Sequence, residues 1–199
     1  MTATKKNTLS GRHRRPGGGS QSPAASGAGG DGVAWVHREL LLRHLIATVA
    51  GREAARIWER SGLERVAVHE AAHAVVGRVL GLPVAGVAMD KSGRGVTSFS
   101  RRGNEIEPAS VGIADSRLAR RLVAGLLMAQ RENLGFRLAR WRIRQARRRA
   151  RELLQGYNWI VFRLAGELLR SGKVDGQRIE AIFNEGGVYL PKVEWEAIA

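Results

Sequence analysis

The chain has 199 residues, 44% of them hydrophobic, enough for one core of ordinary size behind a tail. It contains no cysteine, which excludes disulfides, thiol catalysis and Cys-ligated metal sites and leaves His and carboxylates as the strong zinc ligands. A net charge of +15 would ordinarily point to an acidic partner, but the excess gathers in Lys5, Lys6, Arg12, Arg14 and Arg15 and in the segment from Arg137 to Arg151, as solvated clusters do.

Residues 1–32 are Gly-, Ser- and base-rich and have almost nothing to bury, so a disordered tail is expected there, with one domain over 33–199. Helical spacing starts near Val33 or Trp35 and carries Leu40, Leu41, Leu42, Leu45, Ile46 and Val49 up to Gly51. A second stretch runs from Arg52 through Trp58 to a break at Ser61-Gly62. A third helix, from about Leu63 to Leu80, is closed by Gly81 and by Pro83 beyond it.

That third helix carries His69-Glu70-Ala71-Ala72-His73 inside an apolar run. Residues i and i+4 lie one above the other on a helix, so His69 and His73 can offer two imidazole nitrogens to one metal ion, with Glu70 beside it as a general base. Bound Zn2+ would bring the pKa of water to roughly 7 and polarise a carbonyl, the chemistry of peptide hydrolysis. With five His in the chain, the expectation of meeting this pattern by accident is on the order of one per cent.

Beyond the helix the period changes. Val84 to Met89 and Gly95 to Phe99 read as short strands joined by Asp90–Arg94, a hairpin or small sheet that could brace the helix or hold an extended substrate along its edge. From Asp115 to about Leu154 helix returns in two pieces, broken near Asn133-Leu134-Gly135. Asp115 or Ser116 is placed to cap the first piece, and Leu118, Leu122, Leu126 and Met128 supply its apolar stripe. In the second piece Leu134, Leu138, Trp141 and Gln145 share one face, Trp141 reading as a core anchor, while six arginines wrap the rest. Two last helices, Tyr157 to Leu169 and Gln177 to Phe183, flank a turn from Arg170 to Gly176. The fold class expected is therefore mainly α, a helical domain with a small hairpin or sheet after the motif helix. No stretch approaches the run of about 18 apolar residues that a membrane span needs, and the basic N-terminus lacks a hydrophobic signal region. A cytoplasmic protein without membrane contact is expected. No phosphate-binding loop is present, so ATP binding is not expected.

Glu64-Arg65-Val66-Ala67-Val68-His69-Glu70-Ala71-Ala72-His73-Ala74 with Gly77 resembles the zinc peptidase domain of FtsH-type ATP-dependent proteases. Arg94-Gly95-Val96-Thr97-Ser98-Phe99 is similar to the strand that follows the motif in that family. Leu122-Val123-Ala124-Gly125 is similar to its Ala-Gly step, and Val174-Asp175-Gly176 to its late Leu-Asp-Gly turn. The resemblance covers roughly residues 63–183. It implies a mainly helical peptidase with zinc on His69, His73 and a distant Asp, Glu70 as base, and a polypeptide substrate delivered by an ATPase, which here would have to act in trans. The family's Asp begins an Asp-x-x-x-Ala-Arg helix, and matching it to Arg142-Ile143-Arg144-Gln145-Ala146-Arg147 puts Arg142 at the ligand position. The Glu expected after the Ala-Gly step is replaced by Ala129 and Gln130, and Ala72 stands for the usual Gly.

Val76 and Val79 exclude the metzincin extension, and Glu105 and Glu107 precede the next helix, where a gluzincin ligand would not be. Asp115, Glu132 and Glu152 are within chain reach as third ligands, with no spacing that singles one out. Two functions therefore stand beside each other: a stand-alone zinc metalloendopeptidase, or a catalytically degenerate adaptor of the same fold, the latter able to meet an acidic partner or nucleic acid electrostatically through its Arg-rich helix.

Overall fold

The computed structural model describes residues 28–99, 113–129 and 136–190. Expectations for residues 1–27, for Glu105, Glu107 and Glu132, and for the break at 133–135 lie outside them. The described residues form six helices and one sheet: α1 (Ala28–Ile57), α2 (Gly62–Val79), β1 (Gly86–Met89), β2 (Gly95–Ser98), α3 (Ile113–Ala129), α4 (Phe136–Gly156), α5 (Asn158–Ser171), β3 (Lys173–Asp175) and α6 (Gly176–Glu185). The mainly helical class with a small sheet is as expected. None of these helices is long and apolar enough to cross a membrane.

The centre of the domain is α2. Every residue from Val66 to Arg78 is buried, because α1 packs on one flank, α5 on another, and β1 and β2 against a third. Helix α1 also packs on α3 and α4, so it lies between the motif helix and the second half of the chain. The core joins Leu45, Val75, Leu127, Leu154, Ile160, Leu164 and Phe183 from all six helices.

Three expectations are corrected. The first two helical stretches are one helix of 30 residues that begins at Ala28, inside the segment assigned to the tail, and passes straight through Gly51. A mid-helix glycine costs about 1 kcal/mol relative to alanine, and tertiary packing outweighs it. The turn after α5 contains a third strand: β3 pairs antiparallel with β1, which pairs antiparallel with β2, in the order β2-β1-β3. Three residues are too short to show alternation, and the strand exists because β1 offers it an edge. Gly172, in the left-handed region at φ +72°, turns the chain out of α5 into it.

Trp141 is not a core anchor. It is 42% exposed, with the Arg142 guanidinium 5.0 Å from its ring centre, and α4 instead buries Ala146, Ala150, Leu153 and Leu154. Position 142, expected to correspond to a metal ligand, thus serves that stacked pair.

Candidate metal centre

Helix α2 places His69 and His73 one turn apart, buried to 3% and 4% exposure. Their rings meet edge to face with centres 4.7 Å apart. The His73 Nδ1–H donates to the Ala47 carbonyl of α1 at 2.7 Å. A hydrogen bond at Nδ1 fixes the tautomer whose Nε2 lone pair is free for a metal, the arrangement usual around ligating histidines.

Both Nε2 atoms face one carboxylate oxygen, Asp115 Oδ2, at 2.9 Å from His69 and 3.3 Å from His73. The carboxylate comes from the first turn of α3. Because α3 starts at Ile113, neither Asp115 nor Ser116 caps it. Asp115 shares the inward face with Ala119, Val123, Leu126 and Leu127, while Leu118 and Met128 of the expected stripe are exposed. The three ligand atoms lie within 4.8 Å of one another, close enough for one metal ion to meet all three. His69, His73 and Asp115 form the one such cluster among the described residues.

Both imidazoles pack directly against α1 at Gly51. A Cβ built there would stand 2.6 Å from His73 Nε2 and 2.7 Å from His69 Nε2, so any side chain at position 51 would drive the two rings away. This accounts for the glycine within α1, which meets the motif histidines directly. The Ala-Gly step at Ala124-Gly125 instead faces Leu41.

Glu70 is buried on the same helix, and its carboxylate Oε2 accepts from the Thr97 hydroxyl of β2 at 2.9 Å. The same hydroxyl lies 2.9 Å from the Glu70 carbonyl oxygen. Gly95, also on β2, lies so close that an added Cβ would come within 2.6 Å of Glu70 Cγ. The sheet therefore fixes the carboxylate of the expected base through one hydrogen bond and one close backbone approach. Of the other sequence candidates, Glu152 is an exposed partner of Arg148 and Arg149.

The sequence carries one signal for Asp115: Asp115-Ser116-Arg117-Leu118-Ala119-Arg120 has the Asp-x-x-x-Ala-Arg spacing with its Asp in place, which the stretch at Arg142 lacks, and it is Asp115 that meets the two histidines.

Without metal, His73 and Asp115 form an ion pair. Burial pushes the His73 imidazole down, but the Asp115 carboxylate, with help from Glu70 and the Ala47 carbonyl, carries it up to about 9. Burial pushes the Asp115 carboxyl up, and its hydrogen bonds to the two imidazoles outweigh that and hold it well below the usual carboxylate range. A raised His pKa contributes stability that is complete below its ordinary 6.5 and is lost as pH climbs to about 9. Metal must displace the same proton, so its affinity moves the other way. In chelator the melting temperature is expected to fall between pH 6.5 and 9, while the apparent zinc affinity measured by competition rises over that interval. Parallel pH trends in the two measurements would contradict this assignment of the pair.

Comparison with family models, curated proteins and solved structures finds no match for this chain, so the reading of the centre rests on its residues and geometry.

Proposed function

We propose that this chain is a zinc-dependent metalloendopeptidase that hydrolyses polypeptide, similar in its catalytic helix to the FtsH-type peptidases. The observation that carries the proposal is the convergence of His69, His73 and Asp115, which the glycine at position 51 permits, with Glu70 on the same helix. Two imidazoles and a carboxylate are a donor set of catalytic zinc sites, which leave a fourth position for water or substrate. Zinc held there would supply Lewis acidity, making water acidic enough to lose a proton near neutral pH and polarising the carbonyl under attack.

The chain's own residues supply the rest. Glu70 takes the proton of the attacking water and passes it to the departing amine, and Thr97 holds its carboxylate in one orientation meanwhile. Among the described residues strand β2 is an edge of the sheet, and it carries both Thr97 and Gly95, so an extended polypeptide paired to its outer edge would run past Glu70. The adaptor reading drew on the lack of a third carboxylate, and Asp115 supplies one.

The test is direct. Protein purified with zinc should hold one equivalent by elemental analysis and cleave an unstructured polypeptide; chelation should abolish cleavage and added zinc restore it. Stoichiometric zinc without cleavage would favour a structural metal, and absence of both would defeat the proposal.

A further inference from the structure

A cavity of about 170 Å3 opens beside Asp115, the most exposed member of the metal cluster, whose side chain is 21% exposed. Its wall is built by three helices: Thr48 and Arg52 from α1, Ser116 and Arg120 from α3, and Arg147 from α4. Thr48 and Arg52 are one turn apart on their helix, and so are Ser116 and Arg120, which aligns two hydroxyls and two guanidinium groups along the rim. Arg147 stands 3.5 Å from the buried Glu53 carboxylate, which also accepts from Arg151 at 2.6 Å. Arg52 and Arg120 are exposed and make no ion pair among the described residues. The one carboxylate in the wall is Asp115, already engaged by both imidazoles.

We propose that this cavity is a substrate subsite for a carboxylate, held by Arg52 and Arg120 next to the metal centre. The proposal rests on the peptidase reading and names its substrate class: polypeptide that carries an acidic side chain, or its own C-terminus, close to the bond cleaved. With Arg147 tied to Glu53, two guanidinium groups without an ion-pair partner among the described residues stand beside a single committed carboxylate, an excess of positive charge that a neutral group would not offset, and planar guanidinium forks match a carboxylate in two-point geometry. Size agrees. Pockets that enclose a whole ligand run to roughly 300–1,000 Å3, so this one accepts a single group of a longer molecule. Arg147, tied to Glu53, contributes field rather than a movable fork.

The experiment measures binding, so it does not depend on turnover. Three fluorescein-labelled peptides of otherwise neutral sequence are titrated into zinc-treated Glu70→Gln protein: one amidated with a central Glu, one amidated with Gln in its place, and one with Gln and a free C-terminal carboxylate. Tighter binding of the first than the second by about tenfold assigns the subsite to an acidic side chain; the same preference for the third assigns it to the chain terminus. Either preference should vanish in Arg52→Gln/Arg120→Gln protein, with the Gln amide bound as before and zinc content unchanged, and should shrink as salt is raised. Equal binding of all three peptides, or a preference that survives the double substitution, would overturn the subsite. A carboxylate preference alongside zinc-loaded unsubstituted protein that cleaves nothing would retain the subsite and defeat the peptidase reading, whereas cleavage by the unsubstituted protein without the preference would do the reverse.

Discussion

Replacing Asp115 with alanine is expected to lower zinc affinity by more than about 100-fold while leaving the helical fold in place. The lower bound follows from metal sites in general, where losing a group that merely orients a ligand costs roughly 10- to 100-fold and losing the ligand costs more. Two histidines remain in the variant, and a two-nitrogen site holds zinc weakly. The fold should survive because Asp115 lies at the first turn of α3, partly exposed, with Val123, Leu126 and Leu127 of the same helix still buried. Competition with a chromophoric chelator measures the affinity, and circular dichroism checks the helices. Unchanged affinity would remove Asp115 from the centre. The Arg142→Ala variant serves as a contrast, since that side chain stacks on Trp141 and its loss should leave zinc binding as it was.

The largest effect on rate is expected at Glu70. Glu70→Gln keeps the shape of the side chain and an oxygen that can still accept from Thr97, but it removes the basicity on which proton transfer depends. The turnover number should fall by about 100- to 10,000-fold, the range typical of a positioned general base, with zinc content and KM little changed. Cleavage of an unstructured polypeptide, followed by release of new amino termini, gives the rate. Equal activity of the two proteins would sink the mechanism. Thr97→Val is expected to cost far less, since it removes a group that orients Glu70 rather than one that moves a proton.

Local sequence made some parts of the molecule legible and hid others, for reasons visible in particular residues. The motif helix, the hairpin strands and the last two helices follow from short-range signals: apolar spacing, the Gly81 stop, and turn residues at 90–94 and 170–176. The continuity of α1 through Gly51 is not such a signal. A glycine between two helical stretches reads as a break, and only the approach of α2 shows that the missing side chain is what lets two imidazoles come against the helix. The inward face of α3 was misjudged for a related reason. Counting apolar residues favours Leu118 and Met128, but α3 turns inward the face that carries Asp115, bonded to the histidines of α2, and the small, buried Ala119.

The sequence by itself determined the helical class, the buried helix with two histidines and a glutamate at metal-binding spacing, and a carboxylate within chain reach. These are properties of period and composition, which a single chain carries along its length. Tertiary structure decided which carboxylate meets the histidines, because His69 and Asp115 are 46 residues apart and nothing local couples them. It also decided that Gly51 lets both imidazoles pack against α1, that Gly95 and Thr97 hold Glu70, and that arginines from three helices surround one small cavity. Convergence of this kind depends on the packing angles of whole elements, and no window of sequence contains it.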